Sequence, residues 1–164
     1  MGQKHTEIFS EDTIATLYQR IESLGVELLQ EELPRLINGT AKLTSQDERR
    51  RRVFPQRGPE DGQINWNHSA DKVYNFIRAQ TKPYPGAFSM HRENKITIWT
   101  SKVTRNEINL ALIPGEIINI EKRIIVGCGE GLLEITDIAL NSMDLPAYIW
   151  WSKQNEAGTV CRFS

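Results

Sequence analysis

The chain has little of the material from which self-sufficient chemistry is usually built. Among its 164 residues are two cysteines and three histidines. Cys128 and Cys161 lie far apart without ligand spacing, which fits reduced, structural thiols. His5, His68 and His91 are scattered with no carboxylate or cysteine at metal-ligand spacing, so a metal site is not expected. No apolar run approaches the roughly 20 residues that cross a bilayer, and no charged-then-apolar leader opens the chain. The reading is therefore cytoplasmic, with no membrane partner. An excess of positive charge is also missing: 20 Lys and Arg stand against 21 Asp and Glu. That balance argues against a nucleic-acid partner, which would need a basic surface for the phosphates. Neither a phosphate-cradling glycine loop before a helix nor a nucleophile elbow occurs. Gly127, Gly129 and Gly131 form a G-x-G-x-G string, but it joins two strand-like runs and reads as a hairpin turn.

What is present fits a soluble α+β chain, with 39% hydrophobic and 25% charged residues. Such a length allows one domain, or the end of one and a small second. Lys4 to Phe9 has the alternation of a short strand. Ser10 offers an N-cap, with Glu11 and Asp12 in a first turn. Ile14, Leu17, Ile21 and Leu24 then recur at helical spacing, and Leu28, Leu29, Leu36 and Ile37 continue the series. Pro34 should bend or restart this helix, and Asn38-Gly39 should end it. One strand and one long helix cannot bury both faces unaided, so residues 1–40 read as the last βα unit of something larger.

Residues 41–64 change character. Thr44 to Arg52 has no apolar residue and ends in four arginines, and Pro55, Gly58, Pro59 and Gly62 follow. This is linker chemistry, although the arginine run also invites a phosphate-binding reading. A helix is expected over Asn65 to Gln80, with Ser69 as N-cap and Ala70, Val73, Phe76 and Ile77 as its apolar stripe. Runs over Ala87 to His91, Lys95 to Val103, Glu116 to Ile120, Arg123 to Cys128 and Leu132 to Ile138 suggest a small antiparallel OB-like barrel within residues 65–140. Residues 141–164 are weakly patterned and read as an irregular tail with a short helix at most.

The densest signal is Ile77 to Phe88, IRAQTKPYPGAF. Two prolines bracket Tyr84, and Gly86 permits a backbone angle that other residues resist. Such a rigid aromatic bend is a joint or a ligand wall. Arg78, at a helix end, is either a local stabiliser or a clamp for phosphate or carboxylate. Glu60-Asp61 is either a turn before Gly62 or a source of a general base. Trp99, Phe88 and Trp66 could stack nucleobases on a barrel face, but the Ile96, Ile98 pattern around Trp99 places it in the core.

In the order RGPEDGQINW, a helix ending in IRA, TKPYPGAF, KITIW, PGEI and VGCGEGLLEI, residues 3–138 resemble the C-terminal half of formyltransferases that use 10-formyltetrahydrofolate. The wording is more similar to sugar-nucleotide N-formyltransferases than to methionyl-tRNA formyltransferases. The resemblance implies transfer of a formyl group to the amine of a nucleotide-linked amino sugar. It also implies that the catalytic asparagine, histidine and aspartate, and most of the folate pocket, belong to an N-terminal Rossmann-like part preceding the matched region. This chain would then be inactive alone and require a partner half on a separate chain. Residues 1–40 would be the terminal strand-helix unit of that incomplete domain, with apolar surface left exposed. The resemblance offers Arg57, Glu60, Asp61, Arg78, Tyr84, Pro85 and Gly86 as substrate-side contacts, and no catalytic residue or metal ligand. Two alternatives are a non-catalytic module pairing with itself through residues 4–37, and a tRNA-binding domain of the methionyl-tRNA formyltransferase kind.

Overall fold

The computed structural model describes residues 2–105, 110–154 and 161–164. Two compact units divide the chain, Met1–Arg57 and Gly58–Ser164.

The first unit is built on helix α1 (Ile14–Ile37). Thr13 caps it: its side chain accepts from the Thr16 amide, and the Thr16 hydroxyl accepts from the Thr13 amide at 3.0 Å. The expected start at Ser10 thus moves by one turn, because Asp12 is engaged elsewhere. The Asp12 carboxylate accepts from the Phe9 amide at 2.8 Å and from both terminal nitrogens of Arg20, at 2.9 and 2.7 Å. The Arg20 guanidinium beside Asp12 holds its carboxyl well below the usual range. Lys4 pairs with Glu27 and Glu31, at 2.9 and 2.8 Å. Residues 4–9 are therefore not a strand but an irregular segment tied to α1 through side chains. A strand needs a neighbour for its amides and carbonyls, and this segment has a helix beside it. The helix runs through Pro34, in its last turn, to its cap at Asn38. It has no buried residue, and Ile21, Val26, Leu29, Leu33, Leu36 and Ile37 are exposed. In the linker, Asp47 pairs with Arg49 and Glu48 with Arg51 around a single turn of 3-10 helix.

The second unit wraps helix α2 (Ala70–Gln80) with an antiparallel sheet. Ser69 caps α2, and Ala70, Val73 and Ile77 form its buried face. The strands are β1 (Ala87–His91), β2 (Asn94–Thr104), β3 (Glu116–Ile120), β4 (Arg123–Gly127), β5 (Leu132–Leu140), β6 (Met143–Pro146) and β7 (Cys161–Arg162), with helix α3 (Ala147–Gln154) between the last two. Their order is β1-β2-β5-β4-β3-β7, with β6 added to β5. The ring is nearly closed by residues 161–164. Cys161 and Arg162 pair with β3, the Phe163 amide donates to Gly115, and Ser164 exchanges two backbone hydrogen bonds with Met90 of β1, at 3.0 and 3.2 Å. The α+β, barrel-like expectation holds.

The irregular tail does not. Residues 141–164 supply β6, α3 and β7, and they bury Trp150, Trp151 and Phe163. Phe163 lies parallel between Trp66, at 5.4 Å, and Trp150, at 5.9 Å, while His91 meets Trp150 edge-on at 5.2 Å. A polar thread runs through this cluster. Trp66 Nε1 donates to Ser89 Oγ at 2.9 Å, and Ser89 Oγ donates to the Ser164 main-chain oxygen at 3.0 Å. The fully buried Ser89 is thereby satisfied as donor and acceptor. Weak patterning hid these residues because each packs against a partner distant in sequence.

Both cysteines are buried. Burial pushes the Cys128 thiol up to about 12. We expect Ellman's reagent at pH 8 to modify Cys128 at least about 100-fold more slowly in the native chain than in urea, since the thiolate is the reactive form. Equal rates would contradict its burial. Among the described residues no group of histidine, cysteine or carboxylate side chains could hold a metal ion, and no helix is long and apolar enough to cross a membrane.

Candidate functional site

The RGPEDG and KPYPGAF segments meet through two glycines. Pro59–Gly62 is one turn of 3-10 helix. Its opening is held by the Asp61 carboxylate, which accepts from the Gly58 amide at 2.8 Å. Asp61 is thus a capping group, which gives the turn reading of Glu60-Asp61 a structural cause, and Glu60 is exposed beside it. At the end of the turn Gly62 is buried, and a Cβ placed there would lie 2.7 Å from the Gly86 carbonyl oxygen. Only a residue without a side chain lets these backbones approach so closely. The contact continues along the chain: the Ile64 amide donates to Phe88 at 2.8 Å, and Gln63 bridges to Phe88 in parallel.

The other segment turns between Thr81 and Gly86. Its Lys82-Pro83 peptide is cis, and the Tyr84 amide donates to the Thr81 carbonyl at 3.1 Å. Tyr84 is 41% exposed and Pro85 is also exposed, so both side chains stand outward. Gly86 is buried at φ +90°, in the left-handed region. A Cβ there would lie 2.4 Å from Thr97 Cγ2 and 2.6 Å from Trp99 Cζ3. Three layers result. Trp99 and Thr97 support Gly86, and Gly86 supports Gly62.

Of the residues offered by the sequence, Glu60, Asp61, Tyr84, Pro85 and Gly86 fall in these two touching segments. Arg57 is exposed at the end of the first unit, two residues before Pro59 in sequence. Arg78 is half-buried on α2, where its Nε donates to Asn75 at 2.7 Å and its guanidinium lies 5.7 Å from the Tyr74 ring centroid. These contacts give its local stabilising role a geometry.

Other residues of the site were not expected. Trp99 is half-buried on the outer face of β2, not in the core. Strand side chains alternate, so an odd position beside buried Ile96 and Ile98 must point the other way, with Thr97. That parity was legible. It breaks later at a register shift between Ile98 and Ser101, after which Ser101 is buried and Thr100 exposed. Trp99 shares a groove of about 540 Å³ with Lys82, Pro85, Lys95, Thr97 and Asp144. Trp99 Nε1 donates to Asp144 Oδ1 at 2.8 Å, and Lys82 pairs with Asp144 Oδ2. The Lys82 ammonium stands 4.9 Å from the centroid of the Trp99 indole, and the Lys95 ammonium 3.9 Å from that of Phe88. Gln80 Oε1 lies 3.4 Å from the Cβ position of Gly62, and its buried Nε2 has no hydrogen-bond partner.

The structure is similar to solved structures of HypX from Aquifex aeolicus. A variant with several alanine substitutions matches with a TM-score of 0.68 at 20% identity, over 90% of this chain and 27% of that one. A second variant matches with a TM-score of 0.67 at 19% identity, over 97% and 30%. HypX in complex with tetrahydrofolic acid matches with a TM-score of 0.58 at 20% identity, over 85% and 26%. At these identities the likeness is one of fold, and this chain spans less than a third of the HypX chains. The sequence itself goes further, because residues 57–155 match the model of the formyl transferase C-terminal domain. That stretch contains both glycine-seated segments, the Trp99 groove and six of the seven strands among the described residues, and through it the chain belongs to the formyl transferase C-terminal domain family.

Proposed function

We propose that this chain forms the acceptor-substrate side of a formyltransferase that moves a formyl group from 10-formyltetrahydrofolate to the amine of a nucleotide-linked amino sugar. The observation that carries the reading is the seating of Gly62 on Gly86, which builds one wall from two segments of the family-matched region. On that wall, exposed Tyr84 and Pro85 offer an apolar face to a sugar or nucleoside, and the family resemblance adds Arg57 and Arg78 as cations suited to a diphosphate. The asparagine, histidine and aspartate that organise the transfer, and the folate, would sit in a Rossmann-like half. In the reaction the amine attacks the formyl carbon, the bond from that carbon to folate N10 breaks as the new amide bond forms, and the proton lost by the amine is matched by one taken up at N10 of the released tetrahydrofolate. That tetrahydrofolic acid is bound by HypX, a relative in fold, is consistent with a folate for the complete enzyme.

A second reading is favoured by the exposed apolar residues of α1: the chain associates with a second copy through residues 4–37, without catalysis. One experiment separates the two. The chain is mixed with the Rossmann-like half of a sugar-nucleotide formyltransferase, 10-formyltetrahydrofolate and UDP-linked amino sugars, and formylated product is measured by mass. We expect product only when both halves are present. Transfer to some other amine would move the substrate class. No transfer to any amine, together with a stable dimer of the chain alone in sedimentation, would leave the second reading standing.

A further inference from the structure

The bend that displays Tyr84 and Pro85 is held at both ends by one indole. Lys82, at its start, stands over the Trp99 ring, and Gly86, at its end, rests against Trp99 and Thr97. The indole in turn is fixed by one carboxylate. Asp144 accepts from Trp99 Nε1 through one oxygen, at 2.8 Å, and pairs with Lys82 through the other. Asp144 comes from β6, far from the bend in sequence, and reaches it because the tight turn at Asn141 and Ser142 folds β6 back along β5.

We infer that Asp144 is a positioning residue for the substrate-side wall: by holding Lys82 and Trp99 together it sets where Tyr84 and Pro85 stand, and where the Gly86 carbonyl seats Gly62. The coupling is a property of this chain's geometry, whereas its consequence for a substrate rests on the proposed function. The pair is largely exposed, and such pairs contribute about 0–1 kcal/mol, so the expected effect is on position rather than on stability. Two acceptors on a single carboxylate make the arrangement directional. The Lys82 ammonium, and then the Trp99 N–H, hold the Asp144 carboxyl below its ordinary value, so the link is ionised at neutral pH.

Asp144→Asn tests this, because it keeps the size and one acceptor but loses the charge that draws Lys82. In amide NMR of the full chain, the signals of Tyr84, Gly86 and Gly62 should move, together with the Trp99 indole N–H, while the melting temperature changes by only a few degrees. Asp144→Glu should return them towards the wild-type positions. Unmoved Gly86 and Gly62 amides in Asp144→Asn would overturn the inference. In the two-half assay, Asp144→Asn should raise KM for the amino sugar about tenfold and leave kcat within about twofold, the pattern of lost binding that is equal in the ground and transition states. Moved amides with an unchanged KM would overturn the role towards substrate. A wild-type chain that transfers no formyl group would remove the proposed function, and the amide signals alone would then decide the coupling.

Discussion

Replacing Phe163 with alanine should cost about 3–5 kcal/mol of unfolding free energy in the Gly58–Ser164 unit, the range for truncating a buried aromatic. Phe163 is 3% exposed and stacks between Trp66 and Trp150, so truncation opens a cavity walled by two indoles that cannot both collapse into it. The same residue anchors the segment that joins β3 to β1, through its amide on Gly115 and its neighbour Ser164 on Met90. Loss of the ring therefore loosens the last seam of the sheet as well as the core. Urea unfolding followed by tryptophan fluorescence measures this directly, because Trp66, Trp99, Trp150 and Trp151 all lie in this unit. A loss below about 1 kcal/mol, typical of a surface change, would mean that the stack is not part of what holds the barrel together.

Gly86→Ala should have the larger effect on function. The residue sits at φ +90°, where a side chain brings about 1–3 kcal/mol of backbone strain. Its Cβ would also meet Thr97 Cγ2 at 2.4 Å and Trp99 Cζ3 at 2.6 Å, and such overpacking typically costs about 1–3 kcal/mol more. Relief requires Thr97, Trp99 or the bend itself to move, and the Gly86 carbonyl on which Gly62 is seated moves with the bend. Under the proposed function, both segments of the wall shift together, and displacement of a substrate-positioning group by about 1 Å can lower kcat/KM on the order of 100-fold. Thermal unfolding of the variant and formyl transfer in the two-half assay read the two consequences separately. An alanine variant with wild-type stability would show that the bend accommodates a side chain and that the glycine seat is not a constraint.

The sequence displayed local structure well and distant pairing poorly. The strand over Glu116 to Ile120 and the end of α2 at Gln80 follow from β-branched alternation and from the Thr-Lys-Pro stop, both of which act over a few residues. The segment at Lys4 to Phe9 has strand propensity but no strand beside it, and propensity alone makes no ladder. The Ile96, Ile98 alternation that suggested a core Trp99 in fact puts it on the opposite, outer face by parity. Asp144 was not legible at all. Its importance comes from the return of β6 onto β5 and the two groups this brings to it, neither of which leaves a mark in the residues around it. The touching glycines are an intermediate case: each turn was visible from its own residues, and their contact was not.

The joining of Ser164 to Met90 also bears on how the protein is made. These residues are 74 positions apart, and β1, β2, α2 and most of the core are already synthesised when the joining segment emerges. Until then β1 and β3 each present a row of unpaired backbone groups, the kind of edge that recruits strands from other chains. Closing so long a loop is entropically slow compared with forming the hairpins on either side. The nascent barrel thus passes through a stage with two adhesive margins, and how long that stage lasts is set by Cys161 to Ser164.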